Sequence, residues 1–224
     1  MQGRNNSQAI VTFRELLNKY PESPVSRKAA AEIGLLYYQN DDYNRAIEAY
    51  KYVITQYPGS EEARLAMRDL KSIYVEANRV DEFAALAAQM PGEIRFEPSE
   101  QDSLTYIAAE KVYMKGEAAP AKESFTRYLQ SYPGGAFSLN AHYYLCVIGK
   151  EQKDEEAVLE HAGKLLEYPD NPYSEEALLM HGEILFNRQQ YDLALADYKK
   201  LQAKATTAER RQLGAIGVLR CGAL

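Results

Sequence analysis

The feature that most constrains this chain is a phrase that returns. Tyr-Pro stops followed by small or polar residues stand at Tyr20-Pro21, Tyr57-Pro58, Tyr132-Pro133 and Tyr168-Pro169. Their intervals are 37, 75 and 36 residues, and the double interval holds a weaker stop, Met90-Pro91-Gly92-Glu93. Self-similarity at a fixed period of this size marks a stack of like units rather than one globule. A second marker has the same period: Ser23-Pro24 and Asn171-Pro172 lie 148 residues apart, four periods of 37. Each pair predicts a helix cap with Pro at the first helical position, where its missing N–H is harmless.

Between stops the text is helical. Ala30, Ile33, Gly34 and Tyr37 fall at three- and four-residue steps, and so do Tyr43, Ala46, Ile47, Tyr50, Val53 and Ile54. Asn40-Asp41-Asp42 between them supplies turn formers. One unit is therefore helix A, a tight turn, helix B and a Tyr-Pro stop. Strand-like alternation is absent, so the expected class is all-α.

Counted back from Pro58, the first full unit has Gly34 at the eighth place, Tyr37 at the eleventh, Ala46 at the twentieth, Tyr50 at the twenty-fourth and Pro58 at the thirty-second. In this it resembles the tetratricopeptide repeat family. Later units keep Ala109, Ala121, Phe125 and Pro133, then Gly182, Ala194 and Tyr198. The first half-unit keeps Ala9, Phe13 and Pro21. A unit of about 37 residues with a lengthened stop is similar to tetratricopeptide proteins of the Gram-negative envelope, of the outer-membrane assembly lipoprotein and Tol-Pal coordinator type. The resemblance implies a right-handed α-solenoid of antiparallel helix-turn-helix repeats.

The expected division of the single solenoid is helix B of a partial repeat at 6–20, repeats at 23–58, 60–91, 99–133, 137–169 and 171–205, and helix A of a truncated repeat at 207–224. Small residues let two helices approach to about 8–10 Å, so Gly34 with Ala46, Ala109 with Ala121 and Gly182 with Ala194 are the predicted crossings, each with an aromatic one turn further along. Unit 60–91 is degenerate, with Lys71 at the Gly place and Phe83 at the Ala place. Unit 137–169 keeps Ala157 but has Cys146 at the Gly place and one residue fewer in its turn. The last helix is apolar on more sides than an end cap needs; a segment of a longer bacterial repeat protein, or a helix covered by another chain, is the expectation.

The remaining composition narrows function by exclusion. A formal charge of −6 argues against nucleic-acid partners, which are held largely by Lys and Arg. No run of about 18 apolar residues provides a transmembrane segment, and Met1–Ile10 has no secretion-signal order. Location is therefore the periplasm if a parent chain carries a secretion or lipoprotein signal, and otherwise the cytoplasm. Cys146 and Cys221 read as small buried hydrophobes. His142, His161 and His181 make no pair at metal-ligand spacing. No nucleophile elbow or phosphate loop occurs. The expectation is a chain with no catalytic residue, no metal and no cofactor.

What remains is surface. The resemblance implies that helix A residues line a concave groove for a protein or peptide partner. Those places hold Leu35, Tyr38 and Gln39 in the first full unit; Tyr106, Glu110 and Tyr113 in the third; Asn140, Tyr143 and Val147 in the fourth; and Glu183, Phe186 and Asn187 in the fifth. Family members that clamp a partner's terminal carboxylate use Lys and Asn where this chain has Ala31 and Leu35, so that clamp is missing. The expected function is a non-enzymatic interaction scaffold; the alternative is a structural spacer or self-assembly segment docking through its C-terminal helix.

Overall fold

The computed structural model describes residues 2–90 and 96–223. The weak stop at 91–93 and the start of the connector after it lie outside the described residues. Helices follow one another as α1 (Gln2–Lys19), α2 (Pro24–Gln39), α3 (Tyr43–Gln56), α4 (Glu61–Glu76), α5 (Val80–Gln89), α6 (Pro98–Met114), α7 (Ala118–Ser131), α8 (Ser138–Gln152), α9 (Glu155–Leu166), α10 (Ser174–Asn187), α11 (Tyr191–Lys204) and α12 (Ala208–Gly222). No strand occurs among the described residues. The chain forms two compact units, 1–108 and 109–224.

One turn recurs in all five hairpins. Asp41, Asn78, Gly116, Lys153 and Gln189 each have φ between 56° and 80°, the left-handed region. In each, this residue's N–H reaches the carbonyl three residues back and the next N–H reaches the carbonyl five back, as in Asp41 to Tyr38 and Asp42 to Tyr37. Paired bonds of this kind satisfy the last carbonyls of helix A. The following residue then opens helix B; Asp42 and Asp154 cap it by accepting from Arg45 N and Ala157 N.

This turn fixes register and corrects one expectation. The left-handed residue lies seven places after Gly34, Lys71, Ala109, Cys146 and Gly182 alike. The hairpin of α8 and α9 therefore loses no residue. Val158, not Ala157, takes the Ala46 place: Val158 is buried and Ala157 half-buried.

In unit 1, α2 and α3 meet through Gly34. A Cβ there would stand 2.8 Å from Tyr50 Cε1, so the glycine makes room for the ring on the facing helix rather than for the backbone at Ala46. Tyr50 and Ala46 are both buried. The Tyr50 phenol donates to Asp69 on α4 at 3.4 Å; burial, with Asp69 beside it, holds that phenol protonated far above the usual range. In the degenerate hairpin of α4 and α5 the bulk shifts by one turn. Phe83, buried between the rings of Tyr74 and Phe96, fills the Ala46 place, while Ala87 takes the Tyr50 place. Lys71 pairs with Glu100 at 2.5 Å and lies 6.0 Å from the Phe96 ring, which lets a charged stem replace glycine.

In unit 2 the same exchange recurs. Cys146, Val158 and Ala162 share one core cluster, with Ala162 at the Tyr50 place. Further along, Tyr198 is held between two glycines. A Cβ on Gly182 would lie 3.4 Å from its ring, and one on Gly217 of α12 only 2.3 Å. Both cysteines are free and buried, and burial pushes the Cys146 thiol up to about 12.

The stops are hydrogen-bonded. Ser26 and Ser138 donate to the carbonyls of Tyr20 and Tyr132, and Tyr57 Oη donates to the Pro21 carbonyl at 3.0 Å, tying one stop to the next. Ser23-Pro24 opens α2 as expected. Asn171-Pro172 does not open α10, which begins at Ser174. Asn171 instead donates to the carbonyls of Leu165 and Tyr168 and accepts from Tyr173 N, so its side chain closes α9.

Lys153 holds, without glycine's freedom, a conformation that costs a side-chain-bearing residue roughly 1–2 kcal/mol, and glycine regains part of that in unfolded-chain entropy. Lys153→Gly should raise stability by about 0.5–1 kcal/mol, seen as a higher urea midpoint at unchanged slope. An unchanged or lower midpoint would contradict the turn as described.

Candidate aromatic and acidic face

The predicted groove residues fall into two groups. In unit 1, Leu35 and Tyr38 are half-buried and Gln39 exposed; the Tyr38 ring lies 6.0 Å from Tyr43. Tyr106 is only 4% exposed, so it has almost no ring to offer a partner.

Unit 2 differs. Glu110 and Tyr113 leave the end of α6, Tyr143 and Tyr144 sit on α8, and Tyr173 stands just before α10. Tyr143 stacks on Tyr173 with centroids 4.5 Å apart and planes at 17°. Tyr144 lies 4.9 Å from Tyr113 and stacks on Phe125 at 4.8 Å. Tyr144 Oη donates to Glu110 Oε1 at 2.9 Å, and Tyr113 Oη to Glu151 Oε1 at 3.4 Å. Tyr113, Tyr143, Tyr144 and Tyr173 are half-buried, and Phe125 is buried beneath Tyr144. Burial and the adjacent carboxylate push the Tyr144 phenol up to about 12. The period points to Tyr143 but to neither Tyr144 nor Tyr173, whose rings lie against Tyr113 and Tyr143.

The other predicted places are less coherent. Asn140 and Val147 are half-buried on α8, while Glu183 and Asn187 are exposed on α10. Phe186 is covered by the Arg220 guanidinium, 4.1 Å from its centroid, and by Tyr191 at 5.3 Å. On α12, Leu213, Ile216 and Leu219 are exposed, Leu219 by 73%.

A cavity of about 630 Å³ opens elsewhere, between α1 and α3 over α2. It is lined by none of the predicted groove residues. Its arginines are engaged: Arg14 donates to Tyr37 Oη at 3.0 Å and Arg45 pairs with Asp42 at 3.3 Å. The aromatic face of unit 2 is the better candidate, since it brings predicted groove residues together and this cavity holds none of them.

Histidine spacing within one helix missed a pairing made across a hairpin. His142 on α8 and His161 on α9 bring their Nδ1 atoms to 3.0 Å. One must donate and the other accept, so the contact needs at least one neutral ring. Burial, reinforced by the neighbouring ring and Lys164, depresses His142 to about 4; burial also lowers His161. Around the pair stand Lys122, Lys164, Asp154, Glu160 and Glu167. Among the described residues no group of three or more His, Cys, Asp and Glu is arranged to hold a metal. His181 contacts buried Asp197 at 2.6 Å. No described helix is long and apolar enough to cross a membrane.

Comparison with known proteins supplies family evidence at both ends. Residues 1–85 match the model of an outer membrane lipoprotein family, and residues 176–205 match that of the tetratricopeptide repeat. Among curated proteins none matches. Similar solved structures include a Naa15/Naa10 complex bound to HypK-THB (18% identity, TM-score 0.48, covering 98% of this chain and 32% of that one). Others are the TPR2AB domain complex of yeast Sti1 (15%, 0.42, covering 97% and 80%) and a thermophilic tetratricopeptide repeat protein of Thermus thermophilus (16%, 0.38, covering 86% and 99%). The chain thus spans about a third of the first of these.

A histidine whose folded pKa is depressed keeps its stabilising share above the unfolded value, near 6.5, and loses it as pH falls towards about 4. Thermal midpoints should therefore drop between pH 6.5 and 4, and less steeply in His142→Gln. Equal slopes would contradict the pair's titration.

Among the described residues, five hairpins closed by one turn and a period of about 37 residues make an all-α chain of helix-turn-helix repeats, and residues 176–205 are similar to the tetratricopeptide repeat.

Proposed function

We propose that this chain is a non-enzymatic scaffold in which a protein or peptide segment lies along the helix A residues of unit 2. Repeats of this kind serve protein–protein interaction generally. The observation carrying the finer reading is the cluster of Tyr113, Tyr143, Tyr144 and Tyr173, which are half-buried and held by ring contacts and two carboxylates. Rigid tyrosines offer large apolar planes with a polar tip at low entropy cost, which is why such rings dominate contact surfaces.

The partner is expected in the bacterial envelope, since the first 85 residues match the outer membrane lipoprotein family. Within unit 2, Asn140, Val147, Glu183 and Asn187 would frame the path of the segment. Phe186, covered by Arg220, would support it from beneath.

Replacing Tyr113 and Tyr143 together by Ala tests the groove. Helical circular dichroism should be retained, while a partner captured by the unaltered protein from the native cell should be lost. Loss of at least about 10-fold in retention fits two hot-spot rings; unchanged capture would overturn the assignment.

A further inference from the structure

We infer that His142 and His161 together bind a divalent transition-metal ion, Ni²⁺ or Cu²⁺, through their Nδ1 atoms, pinning α8 to α9. The two nitrogens face each other at 3.0 Å, with ring centroids 5.2 Å apart and planes at 41°. Neutral imidazole is the form that ligates a metal, and burial lowers the proton affinity of both rings. One Nδ1 carries the proton of the present contact. When a metal binds, that proton passes to Nε2 of the same ring, so both Nδ1 lone pairs become donors with no net proton release.

The spacing selects the ion. Two nitrogens bound to one ion at about 2.0–2.1 Å stand about 2.9 Å apart at a right angle and about 3.3 Å apart at the tetrahedral angle. The observed separation fits the right angle of a tetragonal or octahedral ion, the habit of Ni²⁺ and Cu²⁺, better than tetrahedral Zn²⁺. A turn of each ring about χ2 aims both lone pairs at one point off the line joining them.

The surroundings accept a cation. Lys122 is neutralised by Asp154 at 2.8 Å and Lys164 by Glu167 at 3.0 Å, while Glu160 adds negative potential at His161. The hairpin that presents the rings is held by Cys146, Val158, Ala162 and Leu165 in one core, so no helix need move to gather them. No third His, Cys, Asp or Glu completes a set among the described residues, so the site is bidentate. A cavity of about 470 Å³ beside His142 gives room for water in the other coordination positions.

The test adds Ni²⁺ or Zn²⁺ alone to the full chain, prepared without an affinity tag. Paramagnetic Ni²⁺ should broaden the ring signals of His142 and His161 before those of His181, which Asp197 engages. Calorimetry should show one site, and the thermal midpoint should rise with Ni²⁺ concentration. His142→Gln/His161→Gln, whose amides can still bond across the hairpin, should lose both the site and the rise, whereas His181→Gln should keep them. The ring signals of the unaltered protein decide the matter even where the double variant unfolds. No binding, which would mean a hydrogen-bonded pair only, binding that survives the double substitution, or Zn²⁺ held more tightly than Ni²⁺ would each overturn the assignment.

Discussion

Each hairpin depends on fitting one large side chain between two helices that must lie close together. Gly34 yields space to Tyr50, and Gly182 with Gly217 yields it to Tyr198. Where the small residue is absent, bulk moves rather than adds: Phe83 is followed one turn on by Ala87, and Val158 by Ala162. Packing at crystal-like density tolerates such exchanges when volume is conserved and penalises extra methylenes by roughly 1–3 kcal/mol. Because the left-handed turn fixes which residues face each other, every hairpin solves the same packing problem with different side chains.

That geometry accounts for the candidate site. Helix A ends and the following stops recur side by side within unit 2, so aromatic residues from successive repeats meet: Tyr113 from α6, Tyr143 and Tyr144 from α8, and Tyr173 from the stop before α10. The turn holds the helices, the helices hold the rings, and the rings hold Glu110 and Glu151.

Much of the fold was legible because its signals are local. Tyr-Pro stops, apolar steps of three and four, and turn formers announce helices and hairpins without tertiary information. Errors arose where spatial neighbours decide. Ala157 looked right by residue type, but the turn at Lys153 hands its place to Val158. Asn171-Pro172 looked like a cap, yet the Asn171 amide is engaged by the end of α9. His142 and His161, 19 residues apart, meet only because α8 and α9 fold back on each other. For the candidate site, the repeat register points to Tyr113, Tyr143 and Glu110 but not to Tyr144 or Tyr173, whose ring contacts cross repeats.

The central claim is that a small residue and a large ring are energetically one unit. A double-mutant cycle of Gly34→Ala and Tyr50→Leu, read by urea denaturation, measures it directly. A built Cβ at residue 34 lies 2.8–2.9 Å from three ring atoms. Gly34→Ala should therefore be costly beside Tyr50 and nearly free beside Leu, giving a coupling energy of about 1 kcal/mol or more. Additive effects within about 0.3 kcal/mol would contradict the account.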